Sequence, residues 1–593
     1  MFLKADSRTE FFRGYAGLRT PSRQSLGFAT FLVLVAFFLI LGLVGHDPWK
    51  QDETYVFGII QHLLDTGDWI VPQVAGEPFM EKPPLYYWVA AAFAWICSPW
   101  LQLHDGARLA TGFFMALTSA SLGWSARHWW GNGAGRYSVL VLLGCLGTVF
   151  YSHLMLTDIP LLTGFSVAIC GFALALNRAS LGGLLLGVGV GTGFLAKGMI
   201  APAVLSLVAL LLPICFQTWR SRVYFRAMPI ALLTALPFLL IWPTALYLRS
   251  PALFMDWFWL NNIGRFFGFS VPLLGAPHTE GFWTDTLPWF TFPALPLALF
   301  TLWQQRRMLP ESAPLQFSLL LSAVFMAVLA ASASARSNYA LPLLLPLCLL
   351  AAPAVTTLPS RVERIWTWGS HALFGTLAFA IWTIWVRMLI HGSLPPHLTL
   401  LSRYLPSNFK PQLGFNALVL APALTLLIIW IAWRERRYTP GLLSWIGGIT
   451  LCWGLIATLW LDWIDYAKSY RSVFISMHMA MPSDHQCIAS RGLGESERAM
   501  LYYVLGVTTK RQELQPDPDC DLLLINGLAS SPPKEMETDR WRLIWEGARP
   551  SDERERFWLF KAAPSPTAIP ALAVPAASAK SPSPLSSTFV SVL

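Results

Sequence analysis

Residues 27–45 have the sequence GFATFLVLVAFFLILGLVG and contain no charged side chain. A helix of this length extends about 28 Å, close to the roughly 30 Å of a bilayer's hydrocarbon core. The run is too long for the apolar part of a signal peptide, and it ends at His46-Asp47-Pro48 without a small-residue cleavage site. We therefore expect it to remain as the first transmembrane span. Comparable apolar runs recur along the chain as far as Leu442–Leu461.

The composition of the whole chain is that of a membrane protein. Of its 593 residues, 55% are hydrophobic and 13% are charged, and the mean hydropathy is +0.50. The net charge of +9 comes from short Lys and Arg clusters between apolar runs, not from one basic face, which argues against a nucleic-acid partner. The clusters instead indicate topology, because short cytoplasmic loops carry an excess of Lys and Arg.

The basic clusters predict a cytoplasmic N-terminus, about thirteen spans and a C-terminus outside. The apolar stretch Pro83–Leu103 does not fit as a span, because a crossing there would place the basic segment Arg127–Arg136 outside. We expect it to lie along the membrane with an aromatic row that includes Tyr86 and Tyr87 at headgroup depth, and an ordinary span is the alternative. The predicted spans are 27–45, 107–126, 137–156, 159–176, 181–196, 200–216, 228–247, 284–303, 315–333, 340–357, 370–390, 413–433 and 441–461.

Changes in composition divide the chain into four regions. Residues 1–26 form the cytoplasmic N-terminus, 27–461 the all-α transmembrane part, and 462–562 a small α/β domain on the outer side. Residues 563–593 are rich in Pro, Ala and Ser, and we expect this tail to be disordered because it cannot bury a core.

The outer domain has short apolar runs typical of strands at Cys520–Ile525 and Phe557–Phe560, and a helical pattern at Glu495–Leu505. It also contains the two cysteines that lie outside the apolar segments. Because exported domains fold in an oxidising compartment, we predict a disulfide between Cys487 and Cys520, with two separate thiols as the alternative.

Ionisable residues are dense in the predicted outside loops. The first loop contains Asp52-Glu53 and, about thirty residues further on, Glu81-Lys82-Pro83-Pro84-Leu85-Tyr86-Tyr87-Trp88. Later outside segments contain Met155-Leu156-Thr157-Asp158-Ile159-Pro160 and Ala335-Arg336-Ser337-Asn338-Tyr339-Ala340-Leu341-Pro342. From composition alone, an alternative is that Asp52 and Glu53 are merely solvated interfacial acids and Lys82 a snorkelling anchor. The order of the motifs, all on one face, favours a functional site instead.

In this order the motifs resemble the lipid-linked-sugar glycosyltransferases of the GT-C class, in particular the bacterial undecaprenyl-phosphate aminoarabinose transferases and, more distantly, the protein O-mannosyltransferases. The similarity extends to Lys197-Gly198 and to Arg265 and His278 in the large outer loop. Two motifs depart from the family, which commonly has Asp-Glu-x-Arg-Tyr where this chain has Asp-Glu-Thr-Tyr-Val, and Lys-Leu-Pro-x-Tyr where it has Arg-Ser-Asn-Tyr.

The resemblance implies a GT-C bundle of thirteen spans with juxtamembrane helices in the first outer loop. It also implies a glycosyltransferase that moves a sugar from polyprenyl phosphate, specifically undecaprenyl phosphate, to a lipid A-like or other cell-envelope acceptor. The active site would lie at the periplasmic face of a bacterial inner membrane. Neither the sugar nor the acceptor follows from the sequence.

Such a reaction needs cations for the leaving phosphate and a base for an acceptor hydroxyl. Lys82, Arg265 and Arg336 suit the first task, and Asp52 suits the second. Asp158 is a second catalytic candidate, with a helix N-cap as the alternative, and Tyr339 is either a ligand contact or an aromatic-belt residue. The predicted site thus comprises Asp52 and Asp158 as catalytic residues, Glu81, Lys82, Tyr86, Arg265, Arg336 and Tyr339 as binding residues, and Glu53, Lys197 and His278 as further candidates.

Several alternatives remain at this point. Glu81 and His278 are candidate ligands for a divalent metal, although a lone loop histidine is commonly just polar. A transporter or flippase of lipid-linked sugars, a protein O-glycosyltransferase and a lipid-donor hydrolase or phosphotransferase are rival functions. Few charges lie within the spans, which favours chemistry at one face over translocation. We expect neutral replacements of Asp52, Lys82 or Asp158 to spare the fold, because each lies at an outer membrane face.

Overall fold

The computed structural model describes residues 27–50, 52–275, 280–394, 398–407, 409–435, 440–516, 519–537 and 540–563. The predicted cytoplasmic N-terminus, His278 and all but the first residue of the predicted disordered tail lie outside these residues.

The described chain is mainly helical. Its longer helices are Phe28–Ile40, Asp52–Thr66, Leu85–Cys97, Leu103–Trp130, Ala134–Gly144, Leu146–Tyr151, Asp158–Ala175, Ala179–Lys197, Ile200–Cys215, Arg222–Arg249, Pro251–Met255, Ala294–Gln305, Ala313–Ala331, Leu344–Thr357, Ser360–His391, Ala421–Arg434, Pro440–Leu455, Leu461–Lys468, Arg471–Ala480 and Glu495–Leu505. Single turns of α-helix occupy Arg265–Phe267, Val271–Leu274, Leu287–Phe290 and Thr399–Ser402. Segments of 3-10 helix occupy Gln217–Trp219, Arg306–Met308, Ser337–Leu343 and Lys534–Glu537. Segments of π-helix occupy Asp256–Gly264, Phe282–Thr286, Asn416–Leu420 and Ile456–Trp460.

Each of the thirteen predicted spans contains a helix, and the protein is a multi-pass membrane protein. Among the described residues, eight helices are long and apolar enough to cross a bilayer. A pair of helices, Phe282–Phe290 and Ala294–Met308, is bent by 85° and would make a ninth crossing if the two form one broken span. The other four predicted spans fall on Leu103–Trp130 or on apolar helices of 11 to 16 residues, so that their crossing stays a prediction.

The segment predicted to lie along the membrane contains the helix Leu85–Cys97, which has 13 residues. At 1.5 Å per residue it extends about 20 Å, less than the roughly 30 Å of a hydrocarbon core. Trp95 is 70% exposed, as expected for an interfacial ring, whereas Tyr86 and Tyr87 are fully buried in the protein. These two rings therefore contact other helices rather than lipid headgroups, and their depth in the membrane stays a prediction.

Glycine spacing lets the helix Ala179–Lys197 approach helices on both sides. A Cβ at Gly189 would lie 2.5 Å from the carbonyl oxygen of Gly164, and one at Gly183 would lie 2.5 Å from that of Ala227. Such close packing leaves little freedom for sliding between helices. The N-terminus of Asp158–Ala175 and the C-terminus of Ala179–Lys197 consequently come together at one end of the bundle.

The outer domain is an α/β unit with a five-stranded mixed sheet. Two short strands, β1 (Gln73–Val74) and β2 (Glu77–Pro78), form a separate small hairpin in the first outer loop. The five strands of the sheet are β3 (Ile488–Arg491), β4 (Lys510–Arg511), β5 (Leu522–Leu528), β6 (Trp541–Gly547) and β7 (Glu555–Ala562). The sheet order is β4-β3-β5-β7-β6; β3 is parallel to β4 and β5, and β7 is antiparallel to β5 and β6. The predicted strands thus correspond to β5 and β7, and the predicted helix Glu495–Leu505 has the expected bounds.

Both faces of this sheet are buried. One face carries Leu524 and Leu559 and packs against the helices Arg471–Ala480 and Glu495–Leu505. The opposite face is a smaller apolar cluster beside the disulfide that joins Cys487 to Cys520, the predicted pair. The bond closes the segment that enters β3 onto the segment that enters β5 and so ties two adjacent parallel strands together.

Candidate functional site in the outer loops

The acidic pair of the first loop begins the helix Asp52–Thr66. Tyr55 lies one turn after Asp52, and its hydroxyl donates a hydrogen bond of 2.5 Å to Asp52 Oδ1. Burial and the nearby carboxylates of Asp52 and Glu81 raise the pKa of Tyr55 well above its ordinary value. Tyr55 therefore stays a hydrogen-bond donor and fixes one oxygen of Asp52.

Glu81 and Lys82 follow the β1–β2 hairpin. The carboxylate of Glu81 forms an ion pair with Arg265 and lies 3.5 Å from Lys82 Nζ. Burial would raise the pKa of Glu81, but the charges of Lys82 and Arg265 outweigh burial and hold it below its ordinary value. The ionised Glu81 carboxylate thus lies between Lys82 and Arg265, two of the predicted phosphate-binding cations, and holds them beside each other.

Asp158 is the first residue of the helix Asp158–Ala175, and it is 3% exposed. Its carboxylate forms an ion pair with Lys197 and accepts a hydrogen bond of 3.0 Å from the Asn338 amide. Thr157 stands at the N-cap position, and no side chain caps the helix there. The N-cap alternative for Asp158 is therefore wrong. The expectation that a neutral replacement of Asp158 leaves no buried charge does not fit either, because Lys197 would lose the carboxylate it is paired with.

Arg336 and Tyr339 lie at the start of the 3-10 turn Ser337–Leu343. The Nζ atom of Lys197 is 3.7 Å from the centroid of the Tyr339 ring, a cation–π geometry. Within the part of the chain that the structure describes, Arg336 has no carboxylate within ion-pair distance. Arg336 is thus a cation available to a ligand.

These side chains line one polar cavity of about 200 Å³. Its wall contains eight predicted residues from five separate outer segments, together with residues that were not singled out. The lining residues are Asp52, Tyr55, Val56, Glu81, Lys82, Tyr87, Leu156, Thr157, Asp158, Lys197, Arg265, Leu274, Arg336, Asn338, Tyr339 and Glu495.

An apolar cavity of about 380 Å³ adjoins the polar one. The two share five residues, Glu81, Lys82, Lys197, Arg265 and Tyr339. The remaining lining is largely apolar and includes side chains from the span Ala313–Ala331. A charged cluster therefore stands at the mouth of an apolar cavity.

Tyr86 was predicted as a binding residue, but it does not line the polar cavity. Its hydroxyl is 2.8 Å from that of Thr111, and its ring lies beside Phe114 inside the bundle. Successive residues of a helix point about 100° apart, so Tyr86 and Tyr87 cannot both face the cavity. Tyr87 faces it, and its buried hydroxyl has no hydrogen-bond partner among the described residues.

Glu53 also does not line the polar cavity. Its Oε1 is 3.0 Å from Arg108 Nε and accepts a hydrogen bond of 3.1 Å from the Met155 backbone N–H. Arg108 is fully buried and also donates to Asp105 and to loop carbonyls at Leu43 and His46. This cluster connects the start of the first outer loop to the loop before Asp158, which makes Glu53 a positioning residue.

The hypothesis of a divalent metal at Glu81 and His278 stays a prediction, because His278 lies outside the described residues. Over the ranges that the structure describes, no three or more His, Cys, Asp or Glu side chains are grouped as metal ligands. Glu81 is already engaged by two cations.

Tyr55, Tyr87, Asn338 and Glu495 are among the cavity residues that were not singled out from the sequence. Tyr55 and Asn338 lie inside the two motifs that depart from the family, and both bind a predicted catalytic carboxylate. Tyr87 was quoted beside Tyr86, but the motif does not say which of the two faces the site. Glu495 has no signal in the sequence, because it belongs to the outer domain.

Comparison with known proteins supports the resemblance to lipid-linked-sugar glycosyltransferases independently of the site's geometry. Residues 81–242 match the family described as dolichyl-phosphate-mannose-protein mannosyltransferase. This range contains the Glu81-Lys82 motif, Asp158 and Lys197, but not Asp52, Arg265 or Arg336.

Curated relatives carry the name undecaprenyl phosphate-alpha-4-amino-4-deoxy-L-arabinose arabinosyl transferase. The protein from Aeromonas hydrophila is 29% identical over 367 residues, which cover 58% of this chain and 63% of that protein. The one from Pectobacterium atrosepticum is 27% identical over 484 residues, covering 78% of this chain and 81% of that protein. The alignment thus spans slightly less than two thirds of the Aeromonas protein and most of the Pectobacterium protein.

Two solved structures have the same fold. The crystal structure of ArnT from Cupriavidus metallidurans bound to undecaprenyl phosphate superposes with a TM-score of 0.64 at 16% identity, covering 93% of this chain and 98% of that chain. Its apo form superposes with a TM-score of 0.61 at 17% identity and the same coverage. The chain therefore has a GT-C fold and resembles, in sequence and in fold, the glycosyltransferases that use lipid-phosphate-linked sugars, in particular the bacterial aminoarabinose transferases.

Proposed function

We propose that this protein is a glycosyltransferase that moves a sugar from undecaprenyl phosphate to a lipid A-like acceptor at the periplasmic face of a bacterial inner membrane. The observation that carries the proposal is the polar cavity, where four cations from separate outer segments lie among four carboxylates beside an apolar cavity. The names of the curated relatives support the donor and the reaction class.

In the reaction, the bond between the anomeric carbon and the phosphate oxygen breaks, and both electrons leave with the phosphate. An acceptor oxygen forms the new bond to the anomeric carbon. Lys82, Arg265 and Arg336 would stabilise the charge that grows on the leaving phosphate, an effect that is large in a water-poor site. The Nε–H of Arg265 is buried without a partner among the described residues, and a phosphate oxygen would satisfy it.

The apolar cavity beside these cations suits a polyprenyl chain. Because the two cavities share Lys82, Lys197 and Arg265, a lipid phosphate can hold its headgroup in one and the first part of its chain in the other. A water-soluble sugar nucleotide would leave the apolar cavity unused. The arrangement therefore favours a lipid-linked donor.

Asp52 is placed to serve the acceptor. Tyr55 holds its Oδ1 atom, which leaves Oδ2 for an acceptor proton or for orienting the acceptor. A third cavity of about 470 Å³ shares Asp52 and combines apolar side chains such as Trp453 and Ile456 with Lys50 and Lys468. An acceptor with a charged headgroup and acyl chains has this character. If its acceptor atom is a phosphate oxygen, Asp52 orients it and no base is needed.

The periplasmic location rests on the topology predicted from the basic clusters. All five segments that supply the cavity's predicted residues are on the outer side in that topology. A flippase would be expected to place ionisable residues along a path through the bundle. The convergence of the cavity's charges at one end of the bundle favours transfer chemistry.

The function can be tested with purified protein in nanodiscs, labelled undecaprenyl phosphate-linked 4-amino-4-deoxy-L-arabinose and lipid A. We expect transfer by the wild type and a loss of about 100- to 10,000-fold in Asp52→Asn and in Lys82→Met. Lys82→Met should also weaken binding of undecaprenyl phosphate, and Asp52→Asn should not.

Asp484→Asn and Lys534→Met, both on the outer domain away from the cavity, are matched controls that should keep wild-type rates. Wild-type rates in folded Asp52→Asn and Lys82→Met would place the chemistry elsewhere. Absence of transfer by the wild type to lipid A, with transfer to another envelope acceptor, would retain the donor and change the acceptor.

A further inference from the structure

The β1–β2 hairpin of the first outer loop leads directly into the motif that contains Glu81 and Lys82. Glu77 is the first residue of β2, and Lys82 follows five residues later. Each strand has only two residues, and an isolated hairpin has little stability of its own in water. Its turn also has a left-handed backbone at Ala75, where φ is 49°, a conformation that is unfavourable for a residue with a Cβ atom. The hairpin must therefore be held by its surroundings.

The outer domain holds this hairpin through two arginines. The Nη1 atom of Arg498, in the helix Glu495–Leu505, lies 2.7 Å from Glu77 Oε2, and Nη1 of Arg511, in β4, donates a hydrogen bond of 2.9 Å to the same oxygen. Arg498 is 6% exposed, and in the part of the chain that the structure describes Glu77 is the only carboxylate within ion-pair distance of it. Two elements of the outer domain thus bind one carboxylate of the first loop.

The chain between Glu77 and Lys82 is short and packed. The side chains of Phe79 and Met80 are 8% and 3% exposed. The backbone N–H of Phe79 also donates a hydrogen bond of 2.8 Å to the Pro72 carbonyl. A displacement of Glu77 would therefore be passed on to Lys82, because no loose loop between them can absorb it.

Lys82 depends on this backbone for its position in the polar cavity. Among the described residues, its ammonium has a single ion pair, a long one of 3.5 Å with Glu81. This contact alone does not fix the ammonium closely. A cation that must meet a phosphate with an accuracy of about 0.5 Å needs support from the residues behind it, and small displacements far from the reacting atoms are costly.

We propose that Glu77 is a positioning residue for the donor phosphate: held by Arg498 and Arg511 of the outer domain, it places Lys82 where the phosphate binds. The inference rests on the proposed function, which assigns the phosphate to Lys82. Glu77 and its two arginines lie behind the wall of the polar cavity and act through Lys82. The outer domain thereby takes part in donor binding.

A purely structural role is the alternative for Glu77. Phe79 and Met80 would then fix the segment by themselves, and loss of Glu77 would leave Arg498 buried and unpaired, which lowers stability without acting through Lys82. The two roles differ in the coupling between Glu77 and Lys82 in phosphate binding. Over the described ranges no ion pair joins these two side chains, so that coupling would report the position of Lys82.

The experiment measures the apparent Kd of undecaprenyl phosphate, and of undecaprenol, which lacks the phosphate, by tryptophan fluorescence of full-length protein in nanodiscs. We expect Lys82→Met to weaken binding of undecaprenyl phosphate about 10- to 100-fold, as for one hydrogen bond to a charged group. Glu77→Gln should weaken it about 3- to 10-fold in the wild-type background and less than about 2-fold in the Lys82→Met background. Binding of undecaprenol should stay unchanged in all variants.

The double variant Glu77→Gln/Arg498→Met keeps the test valid if Glu77→Gln alone does not fold. It leaves no buried charge unpaired, and Arg511 keeps Glu513 at 3.6 Å. Its melting temperature should be close to that of the wild type, and its affinity for undecaprenyl phosphate should be as weak as that of Glu77→Gln. The matched control Glu546→Gln, at an acid of the same domain that is 41% exposed and also pairs with an arginine, should bind both lipids like the wild type.

Equal effects of Glu77→Gln in the two backgrounds would overturn the proposal, as would wild-type affinity for undecaprenyl phosphate in the folded double variant. A parallel loss of undecaprenol binding would also overturn it, because that would indicate a general loosening of the fold.

These readouts are affinities, so they stand apart from turnover. Coupling between Glu77 and Lys82 in a wild type that transfers no sugar would refute the proposed function and keep the positioning role, and transfer without coupling would do the reverse. A wild type that does not bind undecaprenyl phosphate would overturn the positioning role, and the transfer assay alone would then decide the proposed function.

Discussion

The ion pair between Asp158 and Lys197 allows a sharp test of whether Asp158 acts in chemistry or only in structure. The two side chains are 4% and 11% exposed. Asp158→Asn would remove the carboxylate and leave the Lys197 ammonium buried, a change that typically costs about 3–5 kcal/mol. Lys197 would keep its cation–π contact with Tyr339 at 3.7 Å, which is worth about 0.5–2 kcal/mol. We therefore expect a loss near the lower end, about 3 kcal/mol.

The double variant Asp158→Asn/Lys197→Met removes both charges and should recover most of this loss, because no buried charge is left unpaired. A double-mutant cycle on the free energy of unfolding in detergent should give a coupling of about 2–3 kcal/mol. Turnover should behave differently. If Asp158 also acts on the reacting groups, the double variant stays at least about 100-fold slower than the wild type despite its recovered stability.

Two results would refute this reasoning. A double variant no more stable than Asp158→Asn would show that the two charges are not coupled. A stable double variant with wild-type turnover would leave Asp158 only a structural role. Asp484→Asn, at a residue that is 80% exposed, is the control and should change neither stability nor turnover.

Three further outcomes are expected. The effect of burial on Glu81 is outweighed by its two cations, so its folded-state pKa lies below the ordinary value of 4.5. The stability difference between wild type and Glu81→Gln, measured by thermal unfolding, should therefore be constant from about pH 7 to 5 and be lost only as the pH falls through that lowered pKa. A loss already at pH 6 would contradict the lowered pKa. Non-reducing peptide mapping should recover Cys487 linked to Cys520, and their replacement by Ser should destabilise the outer domain by about 2–4 kcal/mol; two free thiols in the map would exclude the bond. An alkaline phosphatase fusion at position 480 should be active and one at position 130 inactive, and the reverse pattern would invert the topology.

The sequence predicted the elements of the fold well because their signals are local. Apolar runs long enough to cross a bilayer, and a helical pattern such as Glu495–Leu505, depend only on neighbouring residues. The bend of 85° between Phe282–Phe290 and Ala294–Met308 was not predicted. Hydropathy measures how apolar a segment is and carries no information on its direction.

The composition of the site was also largely predictable, but the pairing within it was not. Charged residues at one membrane face need partners, and their order resembled a known family. Which charges neutralise one another depends on tertiary packing: the sequence did not show that Lys197 meets Asp158, or that Glu53 meets Arg108. Tyr86 and Tyr87 are adjacent in the sequence, and the rotation of their helix about its axis, which depends on tertiary packing, determines that Tyr87 faces the cavity.

The departures from the family's motifs now have a physical meaning. Where the family commonly has Arg-Tyr after Asp-Glu-x, this chain has Tyr55, and its hydroxyl binds Asp52. Where the family has Lys-Leu-Pro-x-Tyr, this chain has Asn338, and its amide binds Asp158. In both motifs a neutral donor thus lies beside a carboxylate of the cavity. A neutral donor orients a carboxylate without adding a positive charge beside it, and Tyr55 does this at Asp52 as Asn338 does at Asp158.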